Sequence, residues 1–236
     1  MMITPAKRRR IYLMRHGSVD YFRADGAPVQ PHTVPLNEAG RQQAHAAGQL
    51  FAQCGVHFDK VIISGLNRTT ETANRVLAAA GQSHALEVQP ALEEIRGGKL
   101  ADIPPDEVEA AFLSAFQQGV ESQRFLGGES IGEMLDRVLP AFDLILKRDD
   151  WTKLLLVLHG GVNRAIIARA LTGSRAFFGR LEQLPACINI LDVDGHADLL
   201  VRAINLAPTQ WLHEHESQTT MEKLLAQYLR LESGRA

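Results

Sequence analysis

Two rhythms of apolar residues alternate along the chain. Short continuous runs at 11–14, 61–63 and 154–158 have the length and the branched aliphatic content of strands buried on both faces. Between them, apolar residues recur at helical spacing. Asn37 caps a helix that carries Ala44, Ala47, Leu50 and Phe51 and stops before Gly55, and a second helix spans 67–80 and ends at Gly81. A short strand follows at 86–88. Pro104-Pro105-Asp106 starts a helix with Val108, Ala111, Phe112, Ala115 and Phe116 on one side. The pattern predicts a helix over 130–147, with Pro140 inside it expected to kink or break it. Then come a helix over 162–171 and strands at 187–193 and 199–204, joined by an Asp194-Gly195 hairpin turn. The end of the chain is amphipathic, with Met221, Leu224, Leu225, Tyr228 and Leu229 on one face.

Apolar strands joined by helices predict an α/β fold: a mostly parallel central sheet with helices on both faces, in one domain over residues 1–236. The looser stretch 96–126 reads as an inserted cap, a small helical insertion over the site. The tail 213–236 is expected to pack on its own domain, with a homodimer contact as the other arrangement. No repeat or low-complexity tract interrupts this plan.

Composition narrows the function classes. The chain has 236 residues, 45% hydrophobic and 22% charged, with a formal net charge of −2, which excludes a broad nucleic-acid or membrane-binding surface. Lys7-Arg8-Arg9-Arg10 runs straight into a strand and reads as a solvated flank rather than a nucleic-acid arm. No segment approaches the ~18 apolar residues of a membrane span, and the apolar run after the basic flank is too short for a secretion signal. Cys54 and Cys187 have neither zinc nor redox spacing. A soluble cytoplasmic protein is expected, with no nucleic-acid or membrane partner.

The candidate chemistry sits where strands end. The run 11–14 leads into Arg15-His16-Gly17, the run 61–63 into Ser64-Gly65-Leu66-Asn67-Arg68, and the run 154–158 into His159-Gly160-Gly161. Ligands of such sheets bind beyond the carboxyl ends of the strands, so these clusters converge on one site. Arg15 and Arg68 are permanent cations with planar donor forks, suited to bidentate contact with phosphate or carboxylate oxygens. The helix start at Gly160-Gly161 adds N–H groups for an anion. A neutral His16 whose far ring nitrogen is held by a hydrogen bond can act as a nucleophile. This donor set exceeds what one carboxylate needs and matches a phosphoryl group, with the arginines supplying charge that a metal supplies elsewhere. No metal or other cofactor is expected. Leu92-Glu93-Glu94-Ile95 supplies two carboxylates, either of which can protonate a departing alkoxide.

These motifs resemble the histidine phosphatase superfamily, the group that includes cofactor-dependent phosphoglycerate mutase, over most of the chain. Arg15-His16-Gly17 looks like the family signature. Leu36-Asn37-Glu38-Ala39-Gly40 with Gln43-Ala44 is similar to a helix start of that family, and Ser64-x-Leu66-x-Arg68-Thr69-x-x-Thr72 to its second arginine motif. Gly127-Gly128-Glu129-Ser130 and His159-Gly160-Gly161 match two more. The resemblance implies a three-layer α-β-α sandwich. It implies His16 as the phosphorylated nucleophile, and Arg15, Arg68 and His159 as the phosphate pocket, with Gly17, Ser18 and Gly160 as secondary contacts. The family's L-x-E spacing selects Glu94 as proton donor, with the adjacent Glu93 as the alternative. The chain departs from the family pattern at Ser18-Val19-Asp20-Tyr21-Phe22, where an Asn is missing and Val19 stands at a Thr position, leaving Ser18 as the substitute contact. After the glutamate, Ile95-Arg96-Gly97-Gly98-Lys99 looks more like the phosphatase branch than the mutases. The expectation is a metal-independent phosphomonoester hydrolase acting on a small phosphorylated metabolite. Mutase-type transfer, or a module that binds a phospho-ligand without turnover, are the alternatives.

Other readings fit less well. Gly128-Glu129-Ser130-Ile131-Gly132 has the G-x-S-x-G spacing of a serine esterase, but no buried strand precedes it, and Ser130 reads as a helix cap. Neither cysteine has the arginine six positions on that a cysteine phosphatase needs. His213-x-His215 lacks residues to complete a metal site.

Overall fold

The computed structural model describes residues 8–23, 29–214 and 217–233. Lys7 of the basic flank, part of the 18–35 loop, His215 and the last residues of the tail lie outside the described residues.

Six strands form one sheet: β1 (Arg9–Arg15), β2 (Lys60–Ile63), β3 (Leu86–Val88), β4 (Lys153–Leu158), β5 (Ile188–Val193) and β6 (Leu199–Leu206). Their order is β3-β2-β4-β1-β5-β6. The first four in chain order run parallel, while β5 and β6 form an antiparallel hairpin on the edge beside β1. Parallel strands need covered faces, and alternate residues of these strands divide between two cores. Ile11 and Leu13 of β1 join Leu154, Leu156 and Leu158 of β4 against α4 (Ile131–Leu146) and α5 (Gly160–Thr172). Tyr12 and Met14 join Leu155 and Val157 against α1 (Glu38–Gln53) and α2 (Asn67–Ala79). The expected α/β sandwich with helices on both sides of a mostly parallel sheet is the observed architecture.

Local signals explain the element ends. The Asn37 side chain accepts from the Gly40 N–H at 2.9 Å and caps α1, a contact worth about 1 kcal/mol. Ser130 caps α4 in a reciprocal capping box with Glu133. This agrees with its reading as a cap and rules it out as a nucleophile at a strand end.

Three details differ from expectation. Arg9 and Arg10, expected in a solvated flank, open β1: Arg9 lies 4.1 Å over the Trp151 ring and donates to the Leu146 carbonyl at 2.5 Å, and Arg10 pairs with Asp192 at 2.7 Å. Helix α4 runs unbroken through Pro140. Pro140 and Asp136, the residue whose carbonyl a proline here deprives of its helical donor, are both exposed. On the opposite face Leu135, Val138, Leu139, Phe142 and Ile145 are buried and hold both halves of the helix to the sheet. The β5–β6 turn is also longer than a two-residue Asp-Gly turn. Asp194 N–H pairs with the Asp198 carbonyl, and the Asp194 carboxylate accepts from the N–H groups of His196 and Asp198. The left-handed residue is Ala197 at φ +64°, not Gly195.

Within the inserted stretch, α3 (Val108–Gln118) packs against the C-terminal helix α6 (Thr220–Ser233) through Val108, Phe112 and Leu225. Phe116 of α3 reaches into the larger core below.

Candidate active site

Three neighbouring strand ends deliver the polar groups. Arg15 closes β1, His16 follows it, Ser64 follows β2 and His159 follows β4, while Arg68 stands in the first turn of α2. His16 is held by both backbone groups: its N–H donates to the Leu158 carbonyl and its carbonyl accepts from the Ala186 N–H, each at 3.0 Å. The chain then passes between sheet and α1 through a contact only glycines allow. A Cβ on Gly17 would lie 2.5 Å from the Gly40 carbonyl oxygen, and one on Gly40 would lie 2.1 Å from that of Ser18.

The imidazole of His16 is oriented by its neighbours. Its Nδ1 lies 2.7 Å from the Gly17 carbonyl, which only accepts, so Nδ1 carries the hydrogen. Nε2 is then the unprotonated nitrogen, and it accepts from Nε of Arg68 at 3.3 Å. Burial, followed by the charges of Arg68 and Arg15, holds His16 well below the ordinary imidazole range and keeps the ring neutral. The His159 ring stands edge-on to it, with centroids 5.3 Å apart. Its Nε2 is 2.8 Å from the Ser64 hydroxyl, and burial, then Arg68 and His16, lower its pKa strongly too.

Both arginines are buried and partly satisfied by protein. Arg68 donates to the Pro31 carbonyl at 2.6 Å. Arg15 Nη1 donates to the Gln183 carbonyl at 2.5 Å and to the Thr220 hydroxyl at 2.8 Å. Among the described residues, Nε of Arg15 and Nδ1 of His159 are the buried side-chain nitrogens with no hydrogen-bond partner. Leaving such groups unpaired costs about 1–3 kcal/mol each, and the Arg15 N–H in particular calls for a ligand with an acceptor.

The two adjacent glutamates diverge. Both carboxylate oxygens of Glu94 lie 3.1 Å from the Gly161 N–H, and one accepts from the Ile95 N–H at 3.1 Å. A Cβ on Gly161 would come within 2.6 Å of that carboxylate, so the glycine permits the approach. The Gly161 N–H, expected to serve the ligand, is thus engaged by Glu94. Glu94 shares a cavity of about 220 Å³ with Arg15, Gly160 and Arg164, whereas the Glu93 carboxylate turns to Arg96 at 3.7 Å. A second cavity, of about 200 Å³, opens on Arg15, His16 and Ser18. Ser18 is tied by its backbone, donating to the Gln43 side chain at 2.9 Å and accepting from the Asn37 N–H at 3.0 Å. Gly17 donates to the Thr72 hydroxyl at 3.1 Å.

Several residues of the site escaped the sequence reading. Arg164 is buried, pairs with Glu182 at 3.4 Å and lies 5.0 Å over the Phe116 ring. Thr220 arrives from the far end of the chain to meet Arg15. Nothing in local spacing announces either one. Arg137 and Glu129 flank Glu94 from behind, and only the Glu129 motif hinted at this.

The family model for the histidine phosphatase superfamily (branch 1) matches residues 11–205. The chain belongs to this superfamily. Among histidine phosphatase relatives, the protein named "Probable phosphoglycerate mutase GpmB" from Erwinia tasmaniensis is 34% identical over 154 residues, 64% of this chain and 69% of that protein. Its namesake from Serratia proteamaculans is 30% identical over 183 residues, 75% of this chain and 81% of the relative. The structure of the α-ribazole phosphatase from Shigella flexneri superposes with a TM-score of 0.62 at 24% identity, covering 83% of this chain and 96% of that one. That of a mycobacterial glucosyl-3-phosphoglycerate phosphatase gives 0.64 at 24% identity, covering 84% and 98%. These superpositions establish a shared histidine phosphatase fold.

Proposed function

We propose that the protein is a phosphomonoester hydrolase that works without a metal, through a phosphohistidine, on a small phosphorylated metabolite. The observation that carries this reading is the neutral Nε2 of His16 beside two buried nitrogens, Arg15 Nε and His159 Nδ1, that lack partners. A phosphoryl group offers an oxygen to the Arg15 N–H, and a second to His159 in the tautomer that carries its hydrogen on Nδ1.

In the first step, the lone pair of His16 Nε2 attacks phosphorus in line as the bond to the leaving oxygen breaks. Glu94, as the carboxylic acid, gives its proton to that oxygen, and the alcohol departs. In the second step the Glu94 carboxylate takes a proton from water, the water oxygen attacks phosphorus, and the P–N bond breaks. Inorganic phosphate leaves, His16 is neutral again and Glu94 is reprotonated. Arg15, Arg68 and His159 hold the non-bridging oxygens, where fixed donors stabilise the charge as it redistributes. A positioned acid/base of this kind contributes roughly 10²–10⁴-fold. The placement of Glu94 by Gly161, against the turn of Glu93 toward Arg96, supports Glu94 as the donor.

Trapping the phosphoenzyme tests the reading. Brief exposure to a labelled monoester should leave an acid-labile, base-stable label that His16→Ala abolishes; label persisting in that variant would overturn it. Chelators should leave turnover intact.

The names of the mutase relatives favour one second reading: the phosphohistidine survives and returns the phosphoryl group to a reoriented substrate. Rates of phosphate release and of isomerisation, measured side by side on phosphoglycerates, separate the two.

A further inference from the structure

Glu94 is held from behind by an arrangement that the two chemical steps do not use. Arg137, on α4, is mostly buried and spends all five of its N–H groups on a short stretch of chain and one carboxylate. Nη1 donates to the carbonyls of Ala91 at 2.9 Å and Glu93 at 2.6 Å, and Nη2 donates to the carbonyl of Glu94 at 3.0 Å. The remaining two donors form a fork on Glu129, Nε at 2.7 Å and Nη2 at 2.8 Å. Glu129 in turn accepts from the Arg96 N–H at 2.9 Å through its carboxylate, and its own N–H donates to the Arg96 carbonyl at 2.8 Å.

The carbonyls of residues 91, 93 and 94 and both backbone groups of residue 96 are therefore tied to one ion pair. Two glycines let the strips touch. A Cβ on Gly128 would lie 2.3 Å from the Arg96 carbonyl oxygen, and one on Gly98 would lie 2.5 Å from that of Leu126. Burial alone would raise the Glu129 pKa, but the hydrogen bonds from Arg137 and Arg96 hold it below the usual carboxylate range, so the pair stays ionised.

We propose that Arg137 and Glu129 are a positioning pair: they fix the backbone that carries Glu94, and so set where its carboxyl meets the leaving oxygen. Neither residue touches the reacting atoms. The inference rests on the reading of Glu94 as proton donor and extends it to a residue pair outside the pocket. Lysine cannot replace Arg137 here, because three donors on one atom cannot span three carbonyls and a carboxylate.

A merely structural clamp and a positioning clamp differ in what they do to leaving groups. A departing p-nitrophenolate needs little protonation, while phenolate and alkoxide need much. The test measures kcat/KM of wild type, Arg137→Lys, Glu129→Gln and Glu94→Gln on p-nitrophenyl, phenyl and alkyl monophosphates, with thermal melting of each variant beside it. Displacing an acid by about 1 Å can cost about 10²-fold. Folded Arg137→Lys and Glu129→Gln are therefore expected to lose about 10–100-fold on alkyl and phenyl phosphate but less than about threefold on p-nitrophenyl phosphate, steepening the leaving-group dependence in the direction set by Glu94→Gln. Equal losses on all substrates, or no loss, in folded variants would overturn the positioning role while Glu94→Gln still steepens the dependence. If Glu94→Gln leaves that dependence flat, the proton-donor reading itself falls and the inference with it. Neither outcome depends on Arg137→Ala, the variant most exposed to misfolding.

Discussion

The floor of the pocket and its cover are built on opposite principles. The floor consists of strand ends and the first turn of α2, with Arg15, His16, Arg68 and His159 all buried and their backbones locked into sheet and helix hydrogen bonds. The cover is α3 with α6, segments about a hundred residues apart in the chain, joined by a small cluster around Phe112 and Leu225. The hydrogen bond from Arg15 to Thr220 ties the floor to α6. On the function proposed above, the floor on its strand ends would hold the phosphoryl group and the α3–α6 cover would meet the rest of the substrate. Floor mutations should therefore change the rate on every substrate, and cover mutations should change which substrate is preferred.

The largest expected effect comes from His16→Ala, which should lower turnover by on the order of 10⁴–10⁶-fold on all monoesters, as loss of a nucleophile does elsewhere. A substrate-selective loss in steady-state assays would break the contrast. Next is the scaffold beneath the floor. Leu156 is fully buried in β4, and Leu156→Ala should destabilise the fold by about 2–5 kcal/mol in denaturant titration while activity per folded molecule is retained.

The pH dependence sharpens the comparison further. His16 and His159 are neutral in the folded state because their pKa values are depressed, whereas in the unfolded chain each takes up a proton near pH ~6.5. Below that pH the unfolded state binds more protons, so stability present above it is lost as pH falls. The slope is at most about 1.4 kcal/mol per pH unit for each histidine. Urea titrations at several pH values should show this slope shrink in His159→Asn; an unchanged slope would contradict the buried neutral ring. By the same reasoning, the acid limb of activity set by His16 should lie below the ordinary imidazole range. The smallest effect belongs to the cover. Thr220→Val removes one acceptor from Arg15 and should raise KM by up to about tenfold with kcat within about twofold, a loss of roughly one charge-assisted hydrogen bond.

Much of this was legible in the chain. The apolar runs named the strands of the parallel core, and the polar residues directly after them named the floor, because a residue next to a strand end has little freedom in where it goes. Asn37 and Ser130 announced their caps for the same local reason. The misses share a different cause. Pro140 argued for a break, yet packing on the opposite face of α4 kept the helix whole. Arg164, Thr220 and the Arg137–Glu129 pair act through partners distant in sequence, which periodicity cannot report.

The order of strands and helices, the two-faced burial of the sheet and the gathering of Arg15, His16, Arg68 and His159 at one edge follow from the sequence alone, since they rest on local periodicity and on the placement of residues beside strand ends. Only the tertiary structure decided which ring nitrogen of His16 carries the hydrogen, which of two adjacent glutamates meets Gly161 in the cavity beside Arg15, and what holds the backbone of that glutamate. Those outcomes depend on burial and on hydrogen bonds from remote carbonyls and cations, and such fields exist only once the chain has folded around them.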